Sequence, residues 1–346
     1  MRAARLARTL APPSPSARLA RLTPAPYAPL FSAARALSTT SVSAPYAPLA
    51  AQYAREGYAV AREVLDPQLL GEMGEHVAWL QRRYPGIPTE HLHHQIMRGD
   101  AFWCRVVSDP RLLDLAAAFS PFLADGIAVF SSHYFAKPPR SGMRVLMHQD
   151  GSYWPLRPMD VCTLWIAVTP SNRSNGCLQV IAGTHTEGLA ELKQDRSVRN
   201  VLGSATHTDE DIARAGWASR IVNLELAAGD VSIHHPSIIH GSDANTSAHP
   251  RIGLTVRYIS TRTQCLDPEQ PVLLVRGAAV PGINSYRSWA RYRPGHDMPF
   301  SGAAAWNDKR RTVPEDESFF SRTDYAAQIA EVRAGLEAFV DKLGGR

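Results

Sequence analysis

Gly126-Ile127-Ala128-Val129-Phe130-Ser131-Ser132-His133-Tyr134-Phe135-Ala136 changes the texture of the chain. It is an apolar run rich in β-branched and aromatic residues, and six more follow, at 144–148, 161–169, 177–182, 221–226, 230–235 and 252–260. Gly, Pro, Asn and Ser clusters separate them. Short strands punctuated in this way predict an all-β sandwich or barrel rather than βαβ units. The sandwich is expected near 126–262.

Helices are expected outside this core. Tyr58–Val64 reads as a short strand. Asp66-Pro67 then supplies an N-cap and a proline at the first helical position, and Leu69, Leu70, Met73, Val77 and Leu80 form an apolar stripe. Asp109-Pro110 repeats the signal for a helix through Leu112, Leu113 and Ala116. Tyr325 to Leu343 returns to helical period with Ile329, Val332, Leu336, Phe339 and Leu343.

Within the β region, Met147-His148-Gln149-Asp150 places an imidazole and a carboxylate two residues apart at a strand end. Side chains at i and i+2 of a strand share a face, so both can reach one metal ion. Alone, His-x-Asp is a weak signal. Ninety residues on, His240 follows Ile238 and Ile239 and precedes a Gly turn at Gly241. Two His and one carboxylate on a β scaffold form the facial triad of non-haem Fe(II) oxygenases, which leaves coordination positions open. Zinc favours a closed tetrahedral site or three ligands and a water. Arg251 opens the last β run, eleven residues past His240. Its guanidinium can grip a carboxylate through two donors, such as the distal end of 2-oxoglutarate. Ser242 can add a hydroxyl to the same carboxylate.

At these residues the sequence resembles the phytanoyl-CoA dioxygenase family of Fe(II)/2-oxoglutarate oxygenases. The likeness covers Lys137-Pro138-Pro139-Arg140-Ser141-Gly142, His148-Gln149-Asp150 with Tyr153-Trp154, and Leu164-Trp165-Ile166-Ala167. It continues through Asn175-Gly176-Cys177-Leu178-Gln179-Val180, Gly183-Thr184-His185, His235-Pro236, His240-Gly241-Ser242, Asn245 and Arg251. The resemblance implies a double-stranded β-helix, the cupin-like jelly roll, with flanking helices. It implies His148, Asp150 and His240 as catalytic iron ligands. Arg251, Ser242, Trp165 and His133 take co-substrate positions, and Gln149, Trp154 and Lys137 fall on the substrate side. The implied cofactors are Fe(II), 2-oxoglutarate and O2, with ascorbate a candidate stimulant. The implied reaction is hydroxylation of an aliphatic C–H with release of succinate and CO2. A carboxylate at 150 favours hydroxylation, since related halogenases carry Gly or Ala there.

The chain departs from the family pattern at Ala182-Gly183, where Pro often precedes the Gly, and at His234-His235, where a spare imidazole precedes the usual His-Pro. The stretch from Ile259 to Gly277 is more similar to branches with unassigned small substrates than to the acyl-CoA branch. The substrate is therefore expected to be a small organic molecule or an acyl-CoA. A metal- or 2-oxoglutarate-binding jelly roll without activity, and a zinc hydrolase, are the competing readings; no general base marks the latter. His91, His93, His94 and Gln95 form a further cluster, read as a loop edge with one member at the mouth of the site. Asp209-Glu210-Asp211 reads as a solvated helix start.

Composition fits this reading. The 346 residues, 45% of them hydrophobic, suffice for a full-sized core. No stretch approaches about 18 uninterrupted apolar residues, so no integral membrane helix is expected. The net charge of +5 is uneven: residues 1–55 hold seven Arg and no acid, which leaves 30 basic and 32 acidic residues over the rest. The body thus offers no global basic field for nucleic acid. Residues 1–50, rich in Ala, Arg, Ser and Pro, have the composition of a mitochondrial matrix transit segment, with a cleavage-like run after Leu37. The dioxygenase domain is expected over 56–346. Cys104, Cys162, Cys177 and Cys265 show no Cys-x-x-Cys pairing.

Overall fold

The computed structural model describes residues 46–195, 199–267 and 270–309. The proposed transit segment up to residue 45 and the C-terminal helical pattern at 325–343 lie outside the described residues.

The first part of the fold is helical, with α1 (Ala47–Glu56), β1 (Tyr58–Ala61), α2 (Pro67–Arg83), β2 (Leu92–His93), α3 (His94–Met97), α4 (Ala101–Val107) and α5 (Pro110–Phe119). Strands follow: β3 (Gly126–Lys137), β4 (Val145–His148), β5 (Leu156–Arg157), β6 (Val161–Ala167), β7 (Leu178–Ile181), β8 (Lys193–Gln194) and β9 (Ser204–Ala205). After α6 (Asp209–Arg214) come β10 (Ile221–Leu224), β11 (Val231–His234), β12 (His240–Ser242), β13 (Arg251–Ser260), β14 (Gln264–Cys265) and β15 (Leu273–Gly277).

Each of the β runs read from the sequence forms a strand. The larger sheet has the order β1-β11-β6-β13-β3-β15, with β2 also on β3; the smaller has the order β10-β7-β12-β4. They pack through Trp165 and Ala167 of one against Leu178, Val180 and Leu224 of the other. This is the antiparallel jelly roll. The opposite face of the larger sheet presents Cys162, Leu164, Ile166, Leu254, Val256 and Tyr258 to the helices. A sheet buried on both faces explains why β6 reads as apolar throughout.

The helices form where their caps predict. Asp66 accepts from the Leu69 N–H at 2.9 Å and Asp109 from the Arg111 N–H at 3.0 Å. The buried face of α2 is the sequence stripe plus His76, whose ring bridges Asp100 Oδ2 (2.5 Å) and the Tyr134 hydroxyl (3.2 Å). The charge run at 209–211 begins α6, where Thr208 and Asp211 cap each other's N–H groups. Ahead of residue 56, α1 packs Leu49, Ala50 and Tyr53 on the helical core.

A β-bulge sets the inner wall. Arg257 opposes Ser131 and Tyr258 opposes Val129, so Phe130 has no partner. Before it, Ile127 and Val129 face the helices; beyond it, Tyr134 and Ala136 do. His133, Phe135 and Lys137 therefore share the other face, as their spacing implies. On β13, Gly253 lies under the Trp165 indole: a Cβ there would stand 2.1 Å from Cζ2. Gly253→Ala should destabilise the protein by roughly 1–3 kcal/mol through overpacking. Urea unfolding measures this; an unchanged midpoint would mean that the indole yields freely.

Candidate metal centre and anion pocket

Strands β4 and β12 are neighbours, and their register puts His240 directly opposite His148. Their ring centroids are 4.1 Å apart. Each Nδ1–H donates to a carbonyl two residues back in its own chain, Leu146 O at 2.8 Å and Ile238 O at 3.0 Å. That bond fixes the tautomer and leaves each Nε2 with a free lone pair. Asp150 opens a 3-10 turn just past β4, and its Oδ1 stands 3.5 Å from His148 Nε2 and 3.9 Å from His240 Nε2. Gln149 between them is extended, so the i,i+2 relation holds across the strand end. The three donors lie within 4.8 Å of one another and are buried. Two neutral imidazoles and a carboxylate suit Fe(II) and other borderline divalent ions.

Electrostatics keep the donors ready. Burial, and then the neighbouring His148, hold His240 well below the usual imidazole range, so it presents a neutral ring. Burial works to raise Asp150, but Arg257, with His148 and His234, outweighs it and holds the carboxyl well below its usual range.

The cavity beside them is lined by Phe135, Val145, His148, Trp165, Leu178, His234, His240, Gly241, Ser242, Arg251, Thr255 and Arg257. Arg251 is buried beside it. Its Nη1 donates to Gly176 O at 2.7 Å and its Nη2 to Phe135 O at 3.4 Å, while Nε has no partner. The guanidinium lies 5.2 Å from the Trp165 ring centre. Lys137, opposite Arg251 in the β13–β3 register, donates to Ser242 Oγ at 2.8 Å and to the Asp243 carbonyl. Burial, and then the charge of Arg251, push the Lys137 amine down to about 6. A buried guanidinium with an orphaned N–H, beside an amine that can take up a proton, makes a pocket that fits a carboxylate.

Several sequence expectations are relocated. Lys137 belongs with Arg251 and Ser242, not on the substrate side. Gln149 is fully buried, and its amide is held by Gly188 O (3.0 Å), Ser237 O (2.8 Å) and the Ala190 N–H (2.8 Å). It pegs loops together and does not face the open side. His133 stacks on Phe135 at 4.1 Å and bonds Glu90 O at 2.9 Å, so it stands behind the cavity wall. Trp154 is partly exposed and packs on Arg257 at 5.1 Å. The His93 and His94 rings lie 4.0 Å apart, tilted at 50°, with His94 Nε2 3.1 Å from Arg98; neither they nor His91 line the cavity. Gly241 is no turn: β12 runs through it, and a Cβ there would meet Val145 O at 2.7 Å. The residue that motif reading missed is Arg257. Strand period reveals it, since Arg251, Gly253, Thr255 and Arg257 alternate onto one face of β13.

Fold and site together define a jelly roll of the non-haem iron, 2-oxoglutarate oxygenase type. The family model for phytanoyl-CoA dioxygenase (PhyH) matches residues 53–253, and the chain belongs to that family. A probable phytanoyl-CoA dioxygenase of Caenorhabditis elegans is 34% identical over 126 residues, 35% of this chain and 39% of that protein. The human peroxisomal phytanoyl-CoA dioxygenase is 31% identical over 154 residues, 42% of this chain and 43% of that protein. The match thus spans about two fifths of these relatives' length. Among solved structures, the non-heme monooxygenase ThoJ covers 82% of this chain and 98% of its own at 22% identity, TM-score 0.56. The epimerase SnoN, in complex with Fe3+, alpha-ketoglutarate and nogalamycin RO, covers 71% and 96% at 19% identity, TM-score 0.55. These two share the fold. No helix among the described residues is long and apolar enough to cross a membrane.

Lys137 gives the pocket a pH signature. A bound carboxylate stabilises the ammonium and so raises its pKa above the free value of about 6. Affinity gained this way is fully present below about 6 and is lost as pH climbs through the bound-state value. The Kd for 2-oxoglutarate, measured by calorimetry, should rise by up to about tenfold per pH unit above about 6. Lys137→Met should flatten that slope; a Met variant with the wild-type slope would assign the proton elsewhere.

Proposed function

We propose that this chain is an Fe(II)- and 2-oxoglutarate-dependent dioxygenase. It hydroxylates an aliphatic C–H of a small organic or acyl-CoA-type substrate and releases succinate and CO2. One observation carries the reading: His148 and His240, whose donors lie within 4.8 Å of each other and of the Asp150 carboxylate, line one cavity with the buried Arg251, whose Nε has no partner among the described residues. A metal site alone fits many proteins, and a carboxylate pocket alone fits many more. Their union fits a 2-oxo diacid that reaches both.

In this reading His148, Asp150 and His240 hold the metal on one side. Arg251, with Lys137 and Ser242, orients the distal carboxylate. Trp165 walls the co-substrate and excludes water from it. Iron bound there supplies oxygen activation and oxidative decarboxylation, chemistry that no side chain in the cavity can perform. The chain's share is geometry, a dry pocket and fixed charge. Trp154, stacked on Arg257, is the contact we assign to substrate.

Succinate release from 2-oxoglutarate, with and without panels of acyl-CoAs and small polar molecules, tests the reading. Asp150→Ala and His240→Ala should each abolish turnover. Arg251→Lys should raise the KM for 2-oxoglutarate by about tenfold or more, since lysine lacks the planar two-donor fork, and leave metal affinity near wild type. A protein that binds metal and 2-oxoglutarate yet never forms succinate would be a binder and not an enzyme.

We further propose that residues 1–50 direct import into the mitochondrion. The support is compositional: seven Arg before the first acid, Glu56. Reversing charge at Arg2, Arg5 and Arg8 should leave a fluorescent fusion in the cytosol. A fusion that still reaches the organelle would remove this assignment.

A further inference from the structure

Asp150 has two oxygens; Arg257 reaches both, but the three imidazoles divide between them. Oδ1 looks toward His148 and His240. Oδ2 lies 3.3 Å from Arg257 Nε and 3.8 Å from His234 Nε2. A second Arg257 nitrogen, Nη2, stands 3.4 Å from Oδ1, and Nη1 donates to Thr255 Oγ1 at 2.9 Å. The guanidinium lies over the Trp154 ring, 5.1 Å from its centre, which restricts its movement before anything binds.

His234 is the stranger of the two. It is buried, 1% exposed, and neither ring nitrogen has a hydrogen-bond partner. Its ring centre is 4.7 Å from that of His240. Buried imidazoles without partners are rare, because each unpaired polar atom is desolvated without return. The sheet order explains its aim. His234 ends β11, in the larger sheet opposite Thr163, whereas His148 and His240 stand on the smaller sheet. It therefore reaches Asp150 from the far side. It is also absent from the trio whose donor atoms all lie within 4.8 Å of one another.

We propose that His234 and Arg257 are positioning residues that hold the Oδ2 edge of Asp150, so that Oδ1 alone is offered to the metal. This rests on reading the site as an iron centre. A carboxylate free to rotate can chelate through both oxygens and close a coordination position. One whose second oxygen is hydrogen-bonded stays monodentate and keeps that position open for a co-substrate. Oδ2 already has Arg257 Nε at 3.3 Å, and a small turn of the carboxylate toward the ring would give His234 the partner it lacks. Partners of this kind tune affinity without being ligands.

The test uses the full chain loaded with Mn(II) or Co(II) in place of iron. His234→Phe and Arg257→Met should each weaken Mn(II) binding by about tenfold or more, read by electron paramagnetic resonance. The Co(II) absorption spectrum should keep the coordination number of the wild type. His234→Gln, which retains an N–H donor, should recover most of the loss. Unchanged Mn(II) affinity in both His234→Phe and Arg257→Met overturns the inference. So does a His234→Phe protein whose Co(II) spectrum shows the same lost ligand as His240→Ala, since His234 would then bind the metal itself. Should His234→Phe fail to fold, judged by melting of the metal-free protein, Arg257→Lys decides on the same readouts. Wild-type protein that binds neither Mn(II) nor Co(II) overturns the iron reading and this inference together. Wild-type binding with indifferent variants overturns this inference alone.

Discussion

The register of β12 against β4 is the constraint on which the site depends. His240 and His148 belong to chain segments 92 residues apart, yet antiparallel pairing places them side by side. The pairing is close because Gly241 has no side chain. Any Cβ there would strike the Val145 carbonyl and press on Met147 Sδ. A slip of one residue would turn both imidazoles out of the cavity and replace them with core residues. The Leu146 carbonyl of β4 and the Ile238 carbonyl just ahead of β12 fix each ring's tautomer. Backbone geometry thus sets both the position and the proton state of the donors.

Charge burial is the second theme. Arg251 and Arg257 line one cavity, and Lys137, Asp150 and Glu90 are removed from water with them. An isolated buried ion costs several kcal/mol even after relaxation, so such groups persist where they are paired or await a partner. Arg257 is paired with Asp150. Arg251 and Lys137 are not paired with any carboxylate at contact distance; they lean on carbonyls and the Ser242 hydroxyl instead. Burial consequently lowers Arg251 to about 10 and Lys137 to about 6. A dianionic ligand would relieve this strain. Affinity of this kind needs no rearrangement of the strands, because β13 and β3 already hold both cations in register.

Much of this was legible in the residues. Strand runs and Pro-started helices carry local signals of period and capping, and they fall where those signals lie. The trio and Arg251 were legible because they sit at strand ends, where an i,i+2 relation or a single interval fixes the face. What a motif does not give is the set of contacts that cross from elsewhere. Gln149 is held by Gly188, Ala190 and Ser237. His133 bonds the Glu90 carbonyl. Lys137 donates to Ser242, at the end of β12, 105 residues later. The apolar stripe of Ala47–Glu56 is weak and acquires meaning only against Phe119 and the helical core.

Three imidazoles surround Asp150, and local bonding decides among them. His148 and His240 each have Nδ1 tied to their own backbone, so Nε2 is left as an acceptor aimed into the cavity. His234 has neither nitrogen tied, and its tautomer is free to follow whatever Asp150 requires. Burial lowers its affinity for a proton, and the Asp150 carboxylate partly offsets this. A neutral ring that can turn an N–H toward an oxygen is a donor to a carboxylate before it is a ligand to a cation. The larger sheet therefore contributes charge and hydrogen-bonding groups through Arg251, Arg257 and His234, while the smaller sheet and its turn contribute the three candidate donors. That division sets the donor atoms on one wall of the jelly roll and the buried charges on the facing wall.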